Sequence, residues 1–209
     1  MNSHIILPSS IFPQVLYMAL LYKSDNCLID IHEHYIKQDI RNRYYIYSAN
    51  GKLMLSVPVI KTNGNHTQTK DICISYAQAW QNLHNRALCS AYNHSPFFEY
   101  YIDDFRTFFE ERHGNLIEMN QKMLNILIKL IGIKTKPAYT QAFQKEHDNM
   151  SDFRIYNFIN PSVRKEIFPR YIQVFEPKYQ FIGNLSILDV LFNLGPETLS
   201  YLNSIKIDF

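Results

Sequence analysis

The sequence predicts an α+β fold: a small mixed sheet with a β-hairpin over about 43–58, packed by helices over about 13–23, 79–93, 96–112, 115–131 and 186–194. Three observations carry this reading. Apolar and polar residues alternate on both sides of Asn50-Gly51, a dipeptide that tolerates positive φ and so turns a chain back on itself. From Ala79 the apolar period lengthens to three and four residues, the spacing of a helix face. Only 6 Gly and 9 Pro stand against 15 Tyr, 14 Phe and 1 Trp, a balance that excludes low-complexity linkers and favours a core rich in rings.

Each element follows from local signals. His4 to Leu7 is β-prone and ends at Pro8; Ser9, Ser10 and Pro13 then introduce Val15, Leu16, Met18, Ala19 and Leu20, a buried helix ending near Lys23. Cys27 to Ile31 reads as a second strand. Tyr44 to Ser48 and Lys52 to Val57 form the hairpin, with Leu53, Leu55 and Val57 inward and Lys52, Met54 and Ser56 outward. Ile72 and Ile74 mark a short strand after a polar loop, Thr62 to Thr69.

The helical half carries Trp80, Leu83, Ala87 or Leu88, and Ala91 on one stripe. A second helix is announced by Ser95 as N-cap with Pro96 in the first turn; Phe98, Ile102, Phe105 and Phe109 face inward, Asp103, Asp104 and Glu110 outward. A third starts near Asn115 and closes at Gly132 as a left-handed cap. Lys134 to Asn160 loses periodicity and reads as loops with a short helix or two, and Tyr171 to Phe175 as a late strand. Ser186 with Asp189 resembles a capping box opening Ile187 to Leu194, which Gly195-Pro196 ends. No boundary stands out, so residues 1–209 are read as one domain.

Charge narrows the class. Twenty-one basic against 19 acidic side chains give +2, without the sustained basic stripe of a nucleic-acid binder. No apolar run approaches the roughly 20 residues that span a bilayer, and residues 1–12 lack a signal-peptide pattern. Cys27, Cys73 and Cys89 are odd in number and lack CxxC spacing, which fits a reducing cytoplasm.

The densest polar cluster is His32, Glu33, His34, Lys37, Gln38, Asp39, Arg41, Asn42 and Arg43. Guanidinium forks bind phosphate or carboxylate through paired hydrogen bonds, so Lys37, Arg41 and Arg43 suggest a small anionic substrate; the alternative is a solvated strand edge guarded by positive charge. His32 and His34, two apart, would share a metal on an extended segment, with His84 or Glu33 completing the shell, although a bare His-x-His is more often a surface or hydrogen-bonded pair. His84 sits one helical turn from Trp80, placed either as a general base or as a half-buried structural histidine. No Gly-rich phosphate loop, G-x-S-x-G elbow or H-E-x-x-H helix occurs, and no cofactor or metal is assigned.

The ordered set of Lys37 to Arg43, Ala49-Asn50-Gly51, Leu55 to Val59, Trp80 with His84, Ala91 to Phe98, and Asn184 to Asp189 with Asn193 and Gly195 resembles the bacterial WbqC-like family, from about Phe12 to Leu202. Members of that family are associated with gene clusters for O-antigen and other surface polysaccharides. Many carry His-Gln-Pro after the first strand, where this chain has Leu7 to Pro13, so no role of that histidine transfers. The resemblance implies a context more than a mechanism, since the family's molecular activity is not established; that context and the polar loop together suggest a cytoplasmic transferase acting on an anionic activated sugar or acyl donor. Its catalytic candidates are His84 and His32, and its substrate-binding candidates Lys37, Arg41, Asn42, Arg43 and Trp80. The alternative is a non-catalytic scaffold that docks a partner through Tyr100, Tyr101 and Tyr171.

Overall fold

The computed structural model describes residues 3–159 and 168–207. β1 (His4–Pro8), α1 (Val15–Lys23) and β2 (Asn26–Asp30) open the fold, β1 and β2 running parallel from His4 opposite Asn26 to Pro8 opposite Asp30. The hairpin follows as β3 (Arg43–Ser48) and β4 (Gly51–Ser56), then the antiparallel pair β5 (Val59–Ile60) and β6 (Cys73–Ile74). The helices α2 (Trp80–Tyr92), α3 (Phe98–Tyr101), α4 (Arg106–Glu110) and α5 (Leu116–Ile131) precede two short strands, β7 (Ala138–Tyr139) and β8 (Ser151–Asp152). The chain closes with α6 (Glu176–Tyr179), α7 (Ile187–Leu194) and α8 (Thr198–Ser204).

The main sheet has the order β7-β2-β1-β8, and every pairing in it is parallel; the antiparallel pairs are β3 with β4 and β5 with β6, besides isolated bridges such as Gln14 with Ser186. α1 is buried continuously from Val15 to Leu21, because it lies between the sheet it connects and the closing helices α7 and α8. One apolar core runs from Ile5 to Ile205, with Phe12 at the centre of a ring cluster of Tyr44, Phe105 and Phe108. Among the described residues no helix is long and apolar enough to cross a membrane.

Several expectations shift in detail. The hairpin turn is Ala49-Asn50, and Gly51 supplies the positive φ, +92°, as the first residue of β4. Leu53 is exposed, so only Leu55 and Val57 of the inward set reach the core. On α2 the buried stripe runs Trp80, His84, Leu88, Ala91, while Leu83 is exposed. The helix expected over 96–112 is three pieces, α3, a 3₁₀ stretch over Ile102–Phe105, and α4. Its two most buried residues are Phe105, the last of the 3₁₀ stretch, and Phe108 in α4.

Asn115 caps α5 by accepting from Glu118 N at 2.7 Å, and Gly132 ends it at φ +81°. Ser186 Oγ accepts from Leu188 N, but the Asp189 side chain turns away, so only half of the capping box forms. Residues 171–175 are not a strand, and β7 and β8 replace the short helices expected after Lys134. Two-residue strands have no periodicity to read; long-range pairing with β2 and β1 creates them. Asn160, the end of that expected loop, lies outside the described residues.

Candidate functional site

Parallel strands point their carboxyl ends at one edge, so their final side chains meet there. β2 ends on Asp30, which is fully buried; β7 is followed by Thr140; β8 ends on Asp152 and leads to Arg154; β1 is followed by the buried Ser9 and Ser10. Arg154 holds the edge together. Its Nε and Nη2 donate to Asp152, its Nη1 donates to Asp30 at 2.8 Å and to the Gln144 carbonyl, and its Nη2 also donates to the Lys145 carbonyl. Buried carboxylates are tolerated when paired in this way.

Asp30 in turn orients His32. Thr140 Oγ1 donates its one proton to Asp30 Oδ1 at 3.0 Å, so its oxygen accepts from Ile31 N and meets His32 Nδ1 at 3.1 Å as an acceptor. In a neutral His32 ring this arrangement favours the proton on Nδ1. Its Nε2 makes no hydrogen bond among the described residues and presents a lone pair at a half-buried ring, the arrangement a general base requires.

Beside this relay Glu33 receives Arg41 Nε at 3.0 Å and Nη2 at 2.5 Å, while Arg41 Nη1 pairs with Asp39 and Nη2 also reaches the Arg154 carbonyl. Burial pushes the Glu33 carboxyl up to about 7, against the opposing pull of Arg41. Arg41 is wholly buried and engaged with two carboxylates, so it braces the edge rather than facing a ligand.

An open cleft of about 230 Å³ lies here, lined by residues 36–39 and 154–157. It meets the edge at Arg154, just past the end of β8, and His32 is not among its lining residues. The chain leaves β1 toward β2 on one side and reaches β8 on the other, and such a reversal of strand order is where open α/β sheets bind ligands. Lys37 lines the cleft and is exposed.

The other sequence candidates scatter. His84 is buried among Trp80, Phe108 and Tyr44; its Nδ1 meets the Tyr44 hydroxyl at 3.1 Å and its Nε2 the Ser56 carbonyl at 3.3 Å. Burial lowers its pKa to about 4, leaving a neutral imidazole with both nitrogens engaged. Trp80 is buried in the same ring cluster. Asn42 fastens the hairpin by donating to the Val57 carbonyl at 2.8 Å.

Arg41 precedes β3 and Arg43 opens it, so the two do not share the strand face expected of them. His32 bonds Thr140, whereas His34 lies near His66 and Phe143, and no three potential metal ligands group among the described residues. Tyr171 is buried against Asp189 rather than displayed for docking; Tyr100 is 77% exposed. The residues of this edge that sequence reasoning passed over are Asp30, Thr140, Asp152 and Arg154. Asp152-x-Arg154 was the one local hint, two opposite charges on the same side of an extended segment.

Many of the motif residues build a second polar centre. Asp189, fully buried, accepts from the hydroxyls of Tyr92 and Tyr171 and from Gln173 Nε2 at 2.7 Å. Burial raises its pKa while the three donors oppose the rise. Asn184 accepts from Leu16 N and donates to the Phe158 carbonyl; Asn193 donates to the Asp189 carbonyl. A Cβ on Gly195 would lie 2.5 Å from the Phe97 ring, which is why a glycine stands there.

The sequence model of the WbqC-like protein family matches residues 9–160, which contains every strand-end residue of the edge except those of β1 itself. A relative described as "Uncharacterized protein Rv1507c", from Mycobacterium tuberculosis (strain ATCC 25618 / H37Rv), is 27% identical over 222 residues, covering 94% of this chain and 96% of that protein. No solved structure gives a significant match.

Proposed function

We propose that this chain, which belongs to the WbqC-like protein family, binds an anionic activated sugar or acyl donor at the carboxyl edge of its parallel sheet and acts as a transferase in surface-polysaccharide assembly. The observation that supports this reading most is the convergence of strand-end chemistry beside a cleft at the point where strand order reverses. In this scheme His32 Nε2 takes the proton of an acceptor hydroxyl or amine as that group attacks the donor, and the donor's anionic carrier departs with the electron pair of the broken bond. Asp30 and Thr140 hold the imidazole in the tautomer that allows it. His84, neutral and enclosed, is a positioning residue for the hairpin, as are Trp80 and Asn42. A cytoplasmic location and a single-domain organisation belong to the same proposal.

Thermal-shift measurements with nucleotide sugars and acyl thioesters, followed by turnover assays, test it. A stabilising donor should still bind His32→Ala while transfer falls at least a hundredfold. If no donor of either class raises Tm in the wild-type chain, the reading fails. The scaffold alternative draws on Ile155, 86% exposed, and Tyr156, both at the cleft. It predicts instead that Ile155→Asp abolishes association with a partner protein and that no donor binds.

A further inference from the structure

We propose that Lys37, Arg43 and Lys61 form a subsite for a phosphate or diphosphate group, gathered around the ring of Tyr35 and adjoining the cleft. The inference deepens the transferase reading by naming the part of the donor that is held, and rests on that reading only for the donor's purpose. Lys61 Nζ stands 5.4 Å from the centre of the Tyr35 ring, which is buried and therefore fixes where the ammonium can lie. Lys37 lines the cleft, and the Lys61 pKa is lowered first by desolvation and then by the positive charge of Lys37. Arg43, at the start of β3 opposite Ser56, has its Nε–H shut from solvent without an acceptor among the described residues, and its charge opposes the rise that burial gives the Tyr35 pKa.

Charge pairing separates these three cations from their neighbours. Arg41 and Arg154 are each held by two carboxylates, whereas Lys37, Arg43 and Lys61 join no ion pair among the described residues. Asp39 also lines the cleft, but its carboxylate faces Arg41. Two ammonium groups side by side with a guanidinium repel one another until an anion lies between them. A carboxylate offers one charge and two oxygens. A phosphate offers up to two charges and three oxygens, a better match to a guanidinium fork and two point charges. Lys61, with its lone position after β5, gave no signal in the sequence; the loop carrying residues 67–70 pairs with residues 31–35 and brings β5 alongside Tyr35.

Calorimetric titration of the full chain with inorganic pyrophosphate at low ionic strength tests the subsite. Binding is expected in the wild type, weakened at least tenfold in Lys37→Gln/Lys61→Gln and in Arg43→Gln, partly restored in Arg43→Lys, and unchanged in His32→Gln. The double lysine variant alters exposed and half-exposed side chains, so its unliganded Tm should match the wild type. No binding to the wild type, or equal binding in the lysine variant, overturns the subsite. Competition by uridine diphosphate or by coenzyme A then identifies a sugar-nucleotide or an acyl-thioester source, and competition by neither also overturns it. Pyrophosphate bound without transfer from any donor would leave the subsite standing and remove the transferase reading; transfer indifferent to both lysines would do the reverse.

Discussion

Two buried carboxylates anchor two polar centres in this protein, and they are stabilised by different means. Asp30, at the carboxyl edge, is matched by a guanidinium and a hydroxyl. Asp189, at the junction of α2, α7 and the 171–182 segment, is surrounded by neutral donors and sits in the first turn of α7, where the helix dipole favours negative charge. The edge thus contains full charges of both signs beside an open cleft. The junction contains hydroxyls and amides that knit distant segments. The family motifs Ala91 to Phe98 and Asn184 to Gly195 fall mostly in the second.

Neutralising each carboxylate isosterically tests the contrast most forcefully. Asp30→Asn leaves part of the Arg154 charge buried and unmatched, and should lower unfolding free energy by about 3–5 kcal/mol. Asp189→Asn removes a charge that no cation balances but keeps one acceptor oxygen where the carboxylate has two, leaving either Tyr92 or Tyr171 without its acceptor, so its loss should be about 2 kcal/mol. Urea unfolding monitored by Trp80 fluorescence measures both, and equal losses would erase the distinction.

The next effect is on pH dependence. Glu33 has its pKa raised to about 7, so the folded protein holds a proton that the unfolded chain releases above about 4.5; stability from this group is fullest below that pH and declines up to 7. His84, lowered to about 4, acts in the opposite sense: its contribution is full above about 6.5 and is lost as pH falls toward 4. Each amounts to roughly 3 kcal/mol at most, and across pH 4.5–6.5 they oppose one another. Glu33→Gln should therefore make stability rise steadily over that range, and His84→Gln should make it fall, as read from urea midpoints at pH 4.5, 5.5 and 6.5. A variant whose profile stays flat would place the titration elsewhere.

A smaller effect isolates the His32 relay. Thr140→Val removes the hydroxyl between Asp30 and the imidazole, at a cost of about 1 kcal/mol in stability. Nitrogen chemical shifts of His32 should move from the Nδ1–H tautomer toward the Nε2–H form that predominates in water. A merely structural threonine would alter stability and leave those shifts in place.

Local signals located most elements because they are short-range. The hairpin, the caps Asn115 and Gly132, and the stripe of α5 depend on neighbours within four residues. His84 was misleading for the same reason: its spacing from Trp80 is visible in the sequence, but its enclosure by Tyr44 and Ser56 is not. Lys37 and Arg43 were legible as cations in one polar loop. Their separation from Arg41, which points inward to Glu33 and Asp39, required the fold.

What the sequence determined by itself is therefore the alternation of strand and helix, the ring-rich core and kinship with the WbqC-like family, since each is encoded in periodicity or in contiguous motifs. The tertiary structure alone decided that every strand of the main sheet runs parallel and that Asp30 meets Thr140, Asp152 and Arg154, more than a hundred residues further along the chain, at one edge. Parallel pairing joins segments whose distance along the chain leaves no local trace, and the charges that must balance one another in a buried site are selected by that meeting.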